Sequence, residues 1–139
     1  MSDTTTLAVE HLFTLTAKTN VAAVIANGPA GTRAIVDAST GSFDGAKLKG
    51  TVQGPGGDWV TVRANGTMKL DVRLVLTTED GAAIYMTYLG IGTDGAKHLR
   101  TAPLFETGDE RYAWLNDVQA VALGASDGQQ VTYEVYRVL

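Results

Sequence analysis

The pair Asn65-Gly66 sits between two runs, "WVTVR" (Trp59 to Arg63) and "MKLDVRLVLTT" (Met68 to Thr78), that alternate with a period of two. That repeat belongs to a strand, whose successive side chains point to opposite faces. Asn-Gly supplies both positive-φ residues of a type I′ turn, so the stretch predicts an antiparallel hairpin. A hairpin is marginal alone and needs further strands on its edges. The rest of the chain supplies them.

Runs of the same period recur between short turn signals: "LAVEHLFTLTA", "VAAVIA", "AIVDA", "KLKGTVQ", "AAIYMTYLG", "HLRTAPLF", "RYAWLNDVQAVALG" and "QQVTYEVYRVL". "NGPAG", "GPGGD", "EDG" and "ASDG" punctuate them. Nine or ten short strands and no convincing helix predict an all-β antiparallel domain; "AWLNDVQAVALGA" is the one helical competitor, weakened by Asn-Asp and Gly. A single sheet of that size curls or splits. A barrel is favoured over a sandwich because polar residues dot both faces of several strands, as the wall of an internal cavity requires. The 139 residues suit one domain spanning 1–139, with no repeat or linker.

Charge and composition narrow the function. A net charge of -4 with scattered Lys and Arg gives no footprint for nucleic acid. The chain lacks cysteine, which excludes disulfides, thiolate metal sites and Cys nucleophiles. His11 and His98 lie in distant segments without ligand spacing, so no metal is expected. "GIGTDG", Gly90 to Gly95, fits the dinucleotide pattern by letter, but "AKHLRTAPLF" follows where a phosphate-binding helix is needed. It reads as a loop, and no cofactor is expected. The start of the chain has no basic and apolar leader, and no apolar run is long enough to cross a bilayer. The expected location is the cytoplasm, without membrane contact.

The hairpin strand raises the first candidates. Asp71 and Arg73 share a face with Thr77, while Leu70, Val72, Leu74 and Leu76 share the other. In one reading the charged face is solvated and the leucines are core. In the other the charged face lines a cavity and the leucines pack outside, against other chain segments or another subunit. Arg73 would then stabilise negative charge and Asp71 would move a proton. Asp58, beside Trp59, is a second carboxylate of the same kind. "FETGDERYAWLN", Phe105 to Asn116, raises a similar question, because as a strand it sets Tyr112, Trp114 and Asn116 on one face.

Taken together, G-x-F-x-G-x-x-L-x-G at Gly41 to Gly50, Asp58-Trp59, Leu70-Asp71-x-Arg73, the Thr-x-Asp-Gly turn and P-x-F-E-T…Y-x-W-L-N resemble the DUF3237 family, also called UPF0311. The resemblance runs from about Leu7 to Val138. It implies a single antiparallel β-barrel, similar to lipocalin-like barrels, with a partly polar cavity. Carried over by position, the recurring polar and aromatic residues are Asp58, Trp59, Arg63, Asp71, Arg73, Arg100, Glu106, Tyr112, Trp114 and Asn116. The resemblance favours an inward Asp71 and Arg73 and makes "RYAWLN" a cavity wall. The chain departs from the family in the segment Gly90 to His98, which is shorter than in many members.

These readings converge on a cofactor-independent acid–base enzyme of isomerase, cyclase or lyase type, acting on a small, partly apolar carbonyl compound. Asp71, Arg73 and Asp58 are the candidate catalytic residues. Trp59, Arg63, Arg100, Tyr112, Trp114 and Asn116 are the candidate substrate contacts. A small-molecule carrier is the alternative, and a structural or interaction module is a third. The outward leucine stripe that an inward Arg73 implies leads to an expected homodimer or higher homo-oligomer.

Overall fold

The computed structural model describes residues 3–139. Ten strands form one antiparallel sheet: β1 (Val9–Gly28), β2 (Gly31–Asp44), β3 (Lys49–Gln53), β4 (Gly57–Val62), β5 (Met68–Thr78), β6 (Ala83–Thr93), β7 (His98–Thr101), β8 (Leu104–Glu106), β9 (Ala120–Ser126) and β10 (Gln130–Val138). The strand order is β3-β5-β4-β2-β1-β10-β9-β7-β6-β8, and β5 also pairs with β6. Pairing therefore leads from β1 through β2, β4, β5, β6, β7, β9 and β10 back to β1. A sheet this wide with a right-handed twist meets itself in this way and leaves few bare edges.

The hairpin at Asn65-Gly66 is present, but its turn differs from the expected type. Gly66 has a φ of +88° and Asn65 does not have a positive φ. The Gly66 N–H reaches the Arg63 carbonyl at 2.9 Å, and the Asn65 side-chain oxygen accepts the Thr67 N–H at 3.0 Å. A tight turn ending in one left-handed glycine does the work of two positive-φ residues. Segments read as separate strands also merge: "VEHLFTLTAKTNVAAVIANG" is the single strand β1.

The face of β5 is settled by burial. Leu70, Val72, Leu74 and Leu76 are all buried, whereas Arg73 is exposed. Apolar side chains leave water first, so the leucine face is the inner one and the charged face the outer. The inward Asp71 and Arg73, and with them the outward leucine stripe, are corrected.

"RYAWLN" is likewise no strand. Residues Glu110–Asp117 form a 3₁₀ helix, started by Asp109, whose carboxylate accepts the Arg111 N–H at 2.9 Å. An acidic N-cap satisfying a free helical N–H outweighs the alternating pattern. Tyr112 and Leu115 are buried beneath it, and the Tyr112 hydroxyl donates to Asp80 at 2.8 Å. Asp80 lies in the turn Thr78-Glu79-Asp80-Gly81, where the Thr78 hydroxyl accepts the Ala82 N–H at 2.8 Å. The helix thus closes the end of the sheet at which β5 finishes and β6 begins. Phe13, Phe43 and Phe105 fill the interior behind it, edge to face with centroids 5.4 and 6.0 Å apart.

The glycine-rich motif at Gly41 to Gly50 serves the same packing. A Cβ on Gly41 would strike the Thr16 carbonyl oxygen, and one on Gly50 the Thr77 carbonyl oxygen. Phe43 and Leu48, between them, are core. The motif therefore builds the sheet rather than a binding site.

Candidate functional site

Three strands set one row of side chains on the inner face at the end away from the 3₁₀ helix. Asp58 of β4 is paired with Val72 of β5, and Val72 with Tyr88 of β6. Residues opposite one another in neighbouring strands share a face, so Asp58, Val72 and Tyr88 all point inward. Tyr133 of β10 meets them from across the interior, its ring edge to face with Tyr88 and 5.5 Å away between centroids. A Cβ on Gly124, its partner in β9, would fall into the Tyr133 ring. That glycine makes the room the ring needs.

These residues border an internal hollow of about 190 Å³. Its walls are otherwise largely apolar, with Val36, Val60, Met68, Leu70, Leu99 and Val131 prominent. Thr19, Val21, Ala96, Ser126 and Gly128 stand round its mouth. Asp58 is the one ionisable acid among the lining residues, and no Lys, Arg or His is among them.

Asp58 is held unusually. The β4–β5 pairing has a gap between Asp58↔Val72 and Thr61↔Lys69, and the Asp71 N–H goes to the Asp58 carboxylate at 3.0 Å. The side chain stands in for a missing ladder acceptor, which fixes its place in the wall. Burial dominates its proton affinity and pushes its pKa up to about 6; the Asp71 N–H pulls it down, and the charge of Asp71 adds to the rise. Tyr88 and Tyr133 are also driven above the ordinary phenol range, chiefly by burial. Both stay neutral and available as donors at physiological pH.

The structure brings few of the other expected site residues together. Trp59 and Arg73 lie on the outer face, with the guanidinium carbon 5.6 Å from the ring centroid. Asp71 points to the same side. Arg63 and Arg100 border a shallow outer groove with Lys69, Leu89, Ile91 and Leu123. The Arg100 guanidinium donates to the Leu99 carbonyl at 2.8 Å. Tyr112 is tied to Asp80, while Trp114 receives the Lys47 ammonium 5.5 Å from its ring centroid. Asn116 exchanges two hydrogen bonds with the Thr107 backbone, at 2.8 and 3.0 Å. The helix residues close one end of the interior and do not face the hollow at the other.

Of the expected residues, Asp58 alone lines the hollow. Tyr88 and Tyr133 went unread, although each carries a hydroxyl on an otherwise apolar strand face: Tyr88 with Ile84 and Met86, Tyr133 with Val131 and Val135. That pattern is their signal. "GIGTDG" also finds its explanation here, since Gly90 and Gly92 leave inner-face space for Thr101 and Leu99.

The sequence pattern of DUF3237, described as a protein of unknown function, matches residues 7–138. The chain belongs to the DUF3237 family. A UPF0311 protein of Bradyrhizobium diazoefficiens is 30% identical over 152 aligned residues, covering 98% of this chain and 99% of that one. A β-barrel-like protein of Acinetobacter baumannii AYE has a solved structure that superimposes with a TM-score of 0.86 at 28% identity, covering 100% of both chains. The protein named hydroalkoxylation enzyme phnH, of Penicillium herquei, is 32% identical over 112 residues, covering 81% of this chain and 70% of that one. A relative of this chain is thus named for a reaction. Among the described residues, no helix is long and apolar enough to cross a membrane.

Proposed function

We propose that this chain is a cofactor-independent acid–base enzyme whose substrate enters a closed, lipocalin-like barrel and reacts beside Asp58. The carrying observation is the single, half-buried carboxyl, with its pKa pushed up to about 6, in a hollow that it shares with two neutral tyrosines. A general acid or base works best when its pKa lies near the working pH, because both protonation states are then accessible. Asp58 meets that condition, and no other residue lining the hollow does.

The relative's name suggests the kind of step. Hydroalkoxylation adds an O–H across a C=C: a C–O bond forms, the oxygen loses its proton and the far carbon gains one. Atoms and electrons balance without an oxidant or reductant. Asp58, as carboxylate, takes the proton from the hydroxyl and, as acid, returns one to carbon. Tyr88 and Tyr133 hold a substrate oxygen by donating to it. The reverse step is an elimination, and proton return to a different carbon is an isomerisation. No arginine takes part, because Arg63, Arg73 and Arg100 are outside.

The hollow also selects its substrate. An engineered apolar cavity of about 150 Å³ accepts benzene. A space of about 190 Å³ accordingly takes one unsaturated ring or short chain, with any remainder leaving through the mouth beside Thr19 and Ser126. With no cation in the wall, the bound form is neutral, such as a phenol, an enol or an unsaturated alcohol.

The test is a panel of neutral unsaturated phenols and alcohols in D₂O, followed by mass spectrometry. Wild type is expected to place deuterium on carbon and to form cyclic ethers or their isomers. Asp58→Asn is expected to bind with similar affinity and to turn nothing over. If wild type binds the panel tightly and exchanges no proton, the protein is a carrier and the catalytic reading fails.

A further inference from the structure

The strand β1 outruns its partner on one side. β10 pairs with it from Val9 only as far as Lys18, and the last backbone bond on that side is from the Thr19 N–H to the Gln129 carbonyl at 2.9 Å. β2 continues along the other side to Gly28. From Asn20 to Gly28 one whole edge of β1 therefore has no strand beside it among the described residues. Its side chains are bare as well. Val21 to Ala26 are all exposed, with Val21 at 64%, Val24 at 59% and Ile25 at 54%. Adjacent residues point to opposite faces, so this segment is apolar on both.

Natural sheets protect such an edge with lysines, prolines, inward charges or bulges, and of these the segment carries only shifts of register against β2, between Val21 and Ala23 and between Ile25 and Gly28. Here no charged residue occurs between Lys18 and Arg33, and no proline occurs within Asn20 to Gly28. The edge offers a row of backbone donors and acceptors, and the chemistry that satisfies a row of that kind is another strand. We infer that the free edge of β1 pairs antiparallel with the same edge of a second copy of this chain, about a two-fold axis.

Two features favour a second copy over other occupants. An uncharged edge lets two chains of net charge -4 approach without repulsion at the contact, and identical apolar faces continue one another across a two-fold axis. A bilayer surface fits less well, since segments that lie in membranes carry aromatic or cationic anchors. The stretch from Thr19 to Thr32 has neither. Thr19 and Val21 also border the mouth of the internal hollow, so the partner's strand stands beside the entrance. This pairing does not depend on the catalytic reading of Asp58.

Sedimentation equilibrium at micromolar concentration, with circular dichroism and a thermal melt alongside, tests it. Wild type is expected at twice the 14.6 kDa of one chain. Val24→Lys/Ile25→Lys puts a cation on each face of the edge and is expected at the single-chain mass, with an unchanged melt. The chain has no cysteine, so Val24→Cys alone reports proximity: it is expected to form an intermolecular disulfide in dilute solution, and Leu123→Cys in the outer groove is not. A wild type at the single-chain mass overturns the inference, as does a dimer that survives the double lysine variant. Cross-linking through Leu123→Cys alone moves the interface to the outer groove and overturns it too. So does a wild-type monomer that floats with neutral lipid vesicles.

Discussion

The two ends of the interior are built by the same strands and treated oppositely. Along β5, Leu74 and Leu76 are core and line no hollow, like Phe13, Phe43 and Phe105, while Leu70 and Val72 border open space at the other end. Along β10, Val135 is core and Tyr133, two residues earlier, carries a hydroxyl into the hollow. One end is filled by aromatic rings and closed by a capped 3₁₀ helix. The other keeps a half-buried carboxyl and two phenols that packing alone would replace with leucine. Close-packed interiors leave few voids larger than a water molecule, so an unfilled half with polar walls is where binding belongs. The packed end sustains the fold while the hollow end carries groups whose burial is unfavourable.

The largest expected effect sits at the packed end. Phe43→Ala removes a fully buried ring and should lower stability by about 3–5 kcal/mol in urea unfolding. Met68→Ala, on a half-buried wall of the hollow, should cost less than half as much, because its neighbours already face space. Equal losses would erase the distinction between the two ends.

Next in size is the pH dependence that Asp58 imposes. Its folded pKa of about 6 lies above the ordinary 3.8, so the folded state holds its proton more tightly than the unfolded chain does. The stability tied to that proton is complete below 3.8 and is lost as pH rises through about 6. Asp58→Asn keeps an oxygen for the Asp71 N–H and removes the titration. The variant should therefore match wild type at about pH 4 and exceed it by about 2–3 kcal/mol at about pH 8. A difference that does not change with pH would mean that Asp58 is solvated.

Smaller effects follow from the tyrosines and then from the outer face. Tyr133→Phe removes one of the two hydroxyls in the wall of the hollow and should cost about 1 kcal/mol. It should also weaken binding of a phenol. Arg73→Leu, on the exposed face beside Trp59, should change stability by no more than about 0.5 kcal/mol and leave binding unaltered. A loss of binding in that variant would bring the outer face back into the site.

Much of the fold was legible because burial and alternation have the same period in a strand. "MKLDVRLVLTT" announces both its hairpin and its apolar face. What misled was the inference from polar residues within a recognised motif to polar residues within a cavity. Asp71 and Arg73 satisfy the plain rule that charge faces water, and the leucines opposite them are core. Tyr112, Trp114 and Asn116 alternate like strand residues, yet Asp109 caps a 3₁₀ helix there, and capping is a local hydrogen bond that alternation does not register. Tyr88 and Tyr133 were hidden for the converse reason. A tyrosine on an apolar face counts as hydrophobic in a periodicity argument, and its hydroxyl matters only once the facing strand is known. Asp58 was legible as a carboxyl but not as one on the inner face, since the gap in the ladder that lets it accept the Asp71 N–H is a property of two strands.

The catalytic role rests on the proton of Asp58, which can be watched directly. Carbon-13 labelling of aspartate side-chain carboxyls, with Asp58→Asn to assign the signal, gives its titration curve by NMR. With that role the midpoint lies near 6 and moves when a small neutral phenol is added. A midpoint near 3.8 that ignores the phenol would contradict it, and the hollow would then be a void in the fold rather than a place where chemistry is done.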